Sequence, residues 1–537
     1  MGHFNVLRDR FFFIFLLILI FLSSSGFLPS NSFSAKKYFV IAFQGDAATL
    51  DAHGRNETTT ISIQSHIYDT LIFNDIDGSY KPSLAVSWKP INKTEWIFRL
   101  RKNVRFHNGD PFDSQVAIDS ILRAKGVGFK KSQMKHYTKG IKKLSIIDKY
   151  SFKIDTGKPW PSLPAEIASI RMVPVSYIKK VGNAKFARFP VGTGAYKFVK
   201  WIKDDYIELI ANENWWKGSP EIKNVRIRPI PINAARTAGL LSGEIDVVWG
   251  VAPVDGAKLI KNKNLNVFKT ITQRTIYLTF DQWRQKGGPF KKGGKYSPGI
   301  EAGEPNPFMK LKIRKAIAHA INVPELLQTI MHGSGKPATH LNPPFAFGYN
   351  KTIRRLSYSP SRAKKLLKEA GFPNGFKTRL DCPNDRYIND GPMCLAIAGM
   401  LTKVGIKTIP NPRPKAVFFK KMSSGDHSMY MAGWGTDQVF TTFSAAFHSR
   451  IPEKGFGRIN RGRYSNKWLD KHMMKAAVEM DNDKRKKMWE KAWKTVIDDV
   501  AFLPLYQQTV IIATQKNVHL VPRVNEWVLA QEISIKK

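Results

Sequence analysis

In the stretch YMAGWGTDQVF, residues 430–440, Asp437 follows closely on Trp434, and that tryptophan lies between Gly433 and Gly435. The chain around it is heavily basic, with 85 Lys and Arg against 42 Asp and Glu and a formal net charge of +43. A carboxylate set beside an aromatic face and two flexible backbone positions is suited to gripping a cationic group of a ligand. The same residues also suit a surface turn after a strand, so the stretch alone leaves both readings open.

Other patterns that could do chemistry fail on their spacing. GSGKP (333–337) has the end of a phosphate loop, but Ile330 stands where the first glycine belongs and Pro337 replaces the Ser or Thr that would hold magnesium. VGTGAY (191–196) is too short for a dinucleotide fingerprint and reads as a turn entering a strand. No G-x-S-x-G or H-E-x-x-H occurs, the 12 histidines are scattered, and the pairs Asp204–Asp205 and Asp498–Asp499 imply no apolar pocket that would tune an acid or base. We therefore expect no catalytic residue, no metal site, no cofactor and no enzymatic activity. The two cysteines, Cys382 and Cys394, lie close together. In an exported chain such a pair either closes a disulfide or remains as two buried thiols.

Export itself is expected from residues 1–35. Arg8 and Arg10 precede the apolar run FFFIFLLILIFL (11–22), and small residues follow, the layout of a signal peptide cleaved near Ser34 or Ala35. The run falls short of the 18 or so residues of a membrane span. A periplasmic location follows, and an uncleaved anchor is the competing reading. The remaining chain of about 500 residues suggests two or three domains. Its basic residues are spread along the whole length, without the spacing of a nucleic-acid module, so no nucleic-acid partner is expected. A solvated basic surface, or one that binds anionic polymer or lipid, accounts for the charge.

The elements that must position Asp437 alternate between strand and helix. YFVIAF (38–43) reads as a buried strand, and TEWIFRLRKNVRF (94–106) alternates with Trp96, Phe98 and Leu100 on one face. Asp113 caps a helix whose Ala117, Ile118, Ile121 and Leu122 share a side. In SPSRAKKLLKEAGF, Ser359 is the cap, Pro360 the first helical residue and Gly371 the stop. NPFMKLKIRKAIAHAIN reads as a further helix, and the Gly/Pro/Lys-rich segment 284–307 as an exposed insertion.

The order of motifs is informative where single motifs are not. ATLDAH (48–53), IYDTLIF (67–73), DGSYKPSLAVSW (77–88), WIFRLRKNVRFHNGDPF (96–112), VGTGAYKF (191–198), LLSGEIDVVWG (240–250), KLKIRKAIAHAIN (310–322), YSPSRAKKLLKEAGFPNGF (358–376), NDRYIND (384–390), GWGTD (433–437), NRGRYSN (460–466) and FLPLY (502–506) follow one another along the chain. In this order the sequence resembles the family 5 extracellular solute-binding proteins of bacterial ABC transporters, which include dipeptide- and oligopeptide-binding proteins. The resemblance implies an α/β fold: a two-lobe periplasmic-binding-protein clamp of class II type, with an extra subdomain and two hinge crossovers. Lobe one would be 36–275, with the subdomain within about 80–185, lobe two 276–500, and 501–537 a C-terminal return to lobe one. It further implies a monomer that captures short peptides between the lobes and delivers them to an inner-membrane ABC permease. Asp437 would then pair with the ligand's α-ammonium, Gly433, Trp434 and Gly435 would lie beside its backbone, and Arg386 would receive its carboxylate or else pair within lobe two. One departure stands out: many peptide binders follow this acid with Asp-Pro, whereas here the chain continues QVFTTF. Non-peptide cargo, such as haem, a metal chelate, an opine or a sugar conjugate, fits the same scaffold.

Overall fold

The alternating residues of TEWIFRLRKNVRF form the strand Glu95–Leu100, with Trp96, Phe98 and Leu100 buried and Arg99 exposed. It lies between Ala85–Pro90 and Ser151–Asp155, and Lys143–Asp148 completes a four-stranded antiparallel sheet. The helix Ser114–Lys125 packs against this sheet through Ala117, Ile118 and Ile121. Asp113 caps it by accepting from Val116 N at 3.1 Å, and Gly126, at φ 108°, ends it in the left-handed region. These coordinates come from a computed structural model that describes residues 37–536. The signal peptide read in residues 1–35, with its cleavage near Ser34 or Ala35, lies outside the described residues.

A second sheet of 11 strands carries the rest of the α/β architecture. From one edge its order is Ile406–Arg413, Phe376–Pro383, Met429–Gly435, Leu265–Phe280, Phe502–Gln515, Val247–Trp249, Phe39–Phe43, Asn224–Pro229, Tyr206–Ala211 and Tyr196–Ile202, with Lys336–Pro337 attached to Phe502–Gln515. The two long strands, Leu265–Phe280 and Phe502–Gln515, run antiparallel and exchange partners part-way. At one end Ile512–Thr514 pair with Val247–Trp249, and at the other Arg274–Phe280 pair with Met429–Gly435. Their mutual register is interrupted between Ile271 and Thr275. A bulge there bends the ribbon where its partners change, so the two long strands are the crossovers that join two halves.

Sequence caps hold here too. Ser359 accepts from Arg362 N at 3.3 Å, and Pro360 opens the helix Pro360–Glu369, with Gly371 at φ 84° just beyond it. Leu311–Ala320 is helical as its pattern predicts. The 284–307 segment is less free than its composition suggests. Most of it is exposed, but Arg284 is buried against Asp281 at 3.2 Å and donates to the carbonyls of His427 and Gly425, while Ser297 meets Ser428 at 3.0 Å. A long side chain with several donors pins a glycine-rich loop that has little apolar surface of its own.

Several motifs turn out to brace the fold. Asp51 of ATLDAH is paired with Arg123 at 2.6 Å, both 2% exposed, and the guanidinium also donates to Asn183 Oδ1. His107 of HNGD bonds Gly194 O at 3.0 Å, and Gly194 N donates to Ile67 O at 2.9 Å. A side chain at Gly192 or Gly194 would collide with the backbone of Ile67, so VGTGAY is glycine-rich because two backbones meet there.

Candidate functional site

The strand Met429–Gly435 is apolar for its first four residues, which anchor it in the core, and then runs out into Gly433, Trp434 and Gly435, which are progressively more exposed. On one side it is paired along its whole length with Arg274–Phe280. On the other, its pairing with Phe376–Pro383 stops at Tyr430. Beyond that point the Tyr387 hydroxyl donates to Gly433 O at 3.3 Å. A Cβ on Gly433 would meet the Tyr387 ring, so glycine here makes room for that tyrosine; Gly435 is not crowded in this way. Trp434 is fixed by Nε1–H donating to Thr442 Oγ1 at 2.8 Å, and the Arg458 guanidinium sits 4.9 Å from its ring.

Past the strand, Asn342 Nδ2 holds Thr436 O at 2.8 Å and turns the chain so that Asp437 faces the N-terminal half. The Tyr80 hydroxyl lies 3.4 Å from Asp437 Oδ2, and Gln438 Nε2 lies 3.3 Å from Oδ1 and 3.0 Å from the Tyr80 oxygen. Gln438, where many peptide binders have a second acid, is therefore a donor to Asp437. Among the described residues no Lys, Arg or His forms an ion pair with this carboxylate. It keeps some accessible surface while protein surrounds it, and this burial raises its pKa, with the hydrogen bonds from Gln438 and Tyr80 opposing the shift. Glu166, in the short helix Leu163–Ile167, is pushed up to about 8 by burial and then by the charge of Asp437.

Arg386 is exposed, and its guanidinium lies 5.3 Å from the Tyr387 ring. Arg274, from the interrupted stretch of the first long strand, lies 5.9 Å from the same ring. Arg386 forms no ion pair among the described residues, whereas Arg274 lies near half-buried Glu526, whose pKa is raised by desolvation and lowered in turn by Arg274. The geometry therefore separates an acidic end, at Asp437, from a basic end, at Tyr387. Fully extended, the chain from Gly433 to Asp437 spans at most about 14 Å.

Sequence reasoning singled out Asp437, Trp434, Gly433, Gly435 and Arg386, and these share one strand end and the loop beside it. It did not single out Tyr80, Glu166, Arg274 or Tyr387. Tyr387 adjoins Arg386 and was within reach of the same motif; the others come from distant segments. Cys382 and Cys394 are joined by a disulfide with Cα atoms 6.2 Å apart, in the core beneath the Arg386 loop. Reducing it is expected to lower unfolding stability by about 3 kcal/mol, measured by urea titration with and without reductant; unchanged stability would contradict that role.

Two cavities, of about 270 and 310 Å³, lie elsewhere, one beside Asp69, Trp215 and Lys217 and the other beside Arg355 and Pro504. Neither is lined by Asp437; what marks the site is a carboxylate with no ion pair among the described residues. The buried His53 and His66 and the half-buried His107 bond backbone carbonyls, and desolvation lowers each to about 4, so they are neutral packing groups.

The family model for bacterial extracellular solute-binding proteins, family 5 middle, matches residues 79–450. The chain belongs to this family. As a family 5 solute-binding protein of an ABC importer, it works with a membrane permease and binds a small ligand, and its relatives bind solutes rather than transform them. Members are periplasmic or extracellular, and no helix among the described residues is long and apolar enough to cross a membrane. The glutathione-binding protein GsiB of Escherichia coli K12 is 26% identical over 511 residues, covering 92% of this chain and 93% of GsiB. Among solved structures, DppA of Helicobacter pylori in complex with the peptide STSA superposes with TM-score 0.70 at 23% identity, over 93% of this chain and 98% of DppA. NikZ of Campylobacter jejuni with Ni(L-His) gives TM-score 0.71 at 20% identity, over 93% and 99% of the two chains. These likenesses establish the class II two-lobe fold of this family 5 protein and leave its cargo to the site.

Proposed function

We propose that this protein captures short peptides in the interlobe cleft of an exported importer component and hands them to the permease. The observation that carries this is Asp437, a carboxylate largely enclosed by protein, with no cationic partner among the described residues, beside a strand edge left unpaired beyond Tyr430. An α-ammonium supplies the missing charge, and an extended peptide supplies backbone to the edge beside Gly433, Trp434 and Gly435. Arg386, exposed at the other end, receives a carboxylate. Glutathione, for which GsiB is named, and the peptide STSA held by DppA both carry an ammonium and a carboxylate. We place the lobes at about 36–275 and 276–500, with 501–537 returning to lobe one and the extra subdomain within 80–185.

The test is calorimetric titration of protein stripped of cargo by partial unfolding and refolding, using a library of short peptides. Peptides with free termini should bind; binding by none of them would contradict the reading. Arg386→Ala is expected to weaken free-acid peptides about five- to tenfold and to leave their amides unaffected. Equal effects on acid and amide would remove Arg386 from the site. Because the pKa of Asp437 is raised in the free protein and a bound cation favours its ionised form, affinity should fall as pH is lowered through that raised pKa. Titrations at a series of pH values check this, and affinity that rises on acidification would contradict it.

A further inference from the structure

We propose that Glu166 forms, beside Asp437, a second cation subsite that selects peptides whose first residue has a basic side chain. The proposal rests on the peptide reading above. Glu166 is half-buried, and its carboxylate has no hydrogen bond or ion pair among the described residues. Its helix packs against the turn Lys135–Thr138, which carries Tyr137, and against the strand Ile72–Asn74. Tyr80, bonded to Asp437, and Tyr137 both lie within electrostatic reach of Glu166 and of Asp437. Two carboxylates and two phenols, from four separate segments, thus converge on one volume.

Among the described residues no cation pairs with either acid. The basic groups nearby make other contacts: the His136 ring meets that of Tyr137 at 3.8 Å, tilted by 41°, Arg458 lies over Trp434, Lys135 Nζ donates to Lys130 O at 2.6 Å, and Arg171 donates to Ser65 Oγ at 3.0 Å. Burial and Asp437 together hold Glu166 at about 8, the behaviour of a carboxylate deprived of a counter-ion. In a chain of formal charge +43, two adjoining acids that pair with no cation among the described residues create an opening for two ligand charges. If one is the α-ammonium at Asp437, the group next to it in any peptide is the first side chain. A Lys or Arg there reaches outward by several ångströms and can place its charge on Glu166, with the tyrosine hydroxyls completing its hydrogen bonds.

The experiment titrates the full-length mature protein with Lys-Ala-Ala and with norleucine-Ala-Ala, which match in length and differ in the terminal charge of one side chain. Wild type is expected to prefer the lysine peptide roughly ten- to a hundredfold. Glu166→Gln is expected to remove the preference, the two peptides then binding within about twofold of each other; a thermal melt verifies that the variant is folded. Equal affinities in the wild type would overturn the proposal while leaving the peptide reading intact, and this comparison needs no variant. A preference that survives in Glu166→Gln would also overturn it. Failure of both peptides, with failure of the wider library, would instead bring down the peptide reading and this proposal together.

Discussion

Asp437→Asn is expected to weaken peptide binding by roughly two orders of magnitude or more. Removing one partner of a buried ion pair costs about 3–5 kcal/mol, because the other charge is left uncompensated, and about 1.4 kcal/mol corresponds to a tenfold change in affinity. Asp437 keeps some accessible surface, so the lower part of that range applies. N-acetylating the peptide removes the same interaction from the other side and should cost wild type a similar amount. The two losses should be strongly non-additive, since each removes the one contact. Two independent, additive losses would mean that the ammonium and Asp437 do not touch.

Arg123→Ala should cost about 3–5 kcal/mol of folding stability, a large share of the 5–15 kcal/mol typical of a folded domain. The substitution leaves Asp51 buried without its partner and strips a donor from Asn183. Chemical denaturation of variant and wild type measures this. A loss under 1 kcal/mol would mean that water or another donor reaches Asp51, and that the ATLDAH motif braces the fold less than its geometry indicates.

Much of the fold was legible in the sequence because it rests on local physics. Asp113 and Ser359 are caps where a side-chain oxygen can reach only its own helix, and the alternation of Trp96, Phe98 and Leu100 needs nothing beyond the strand period. Asp437 was visible as a lone acid in a basic chain. Its meaning was not, because that depends on which residues fail to neutralise it, and Tyr80, 357 positions away, is known only from the folded chain. Glu166 was less visible still: in a short helix it looks like any solvated acid, and only the approach of the loop after Gly435 gives it a like-charged neighbour. The glycines carry a further reason that the sequence does not display: VGTGAY is the turn into the strand Tyr196–Ile202 that its pattern suggests, and Gly192, Gly194 and Gly433 are also small because another part of the protein lies against each.

The most direct measurement is a crystal structure of the stripped protein reloaded with a short peptide bearing free termini. The account predicts the α-ammonium within about 2.7–2.9 Å of the Asp437 carboxylate, with the peptide backbone alongside Gly433–Gly435 and its carboxylate toward Arg386. A peptide bound with its ammonium away from Asp437, or running in the opposite direction along the cleft, would contradict it.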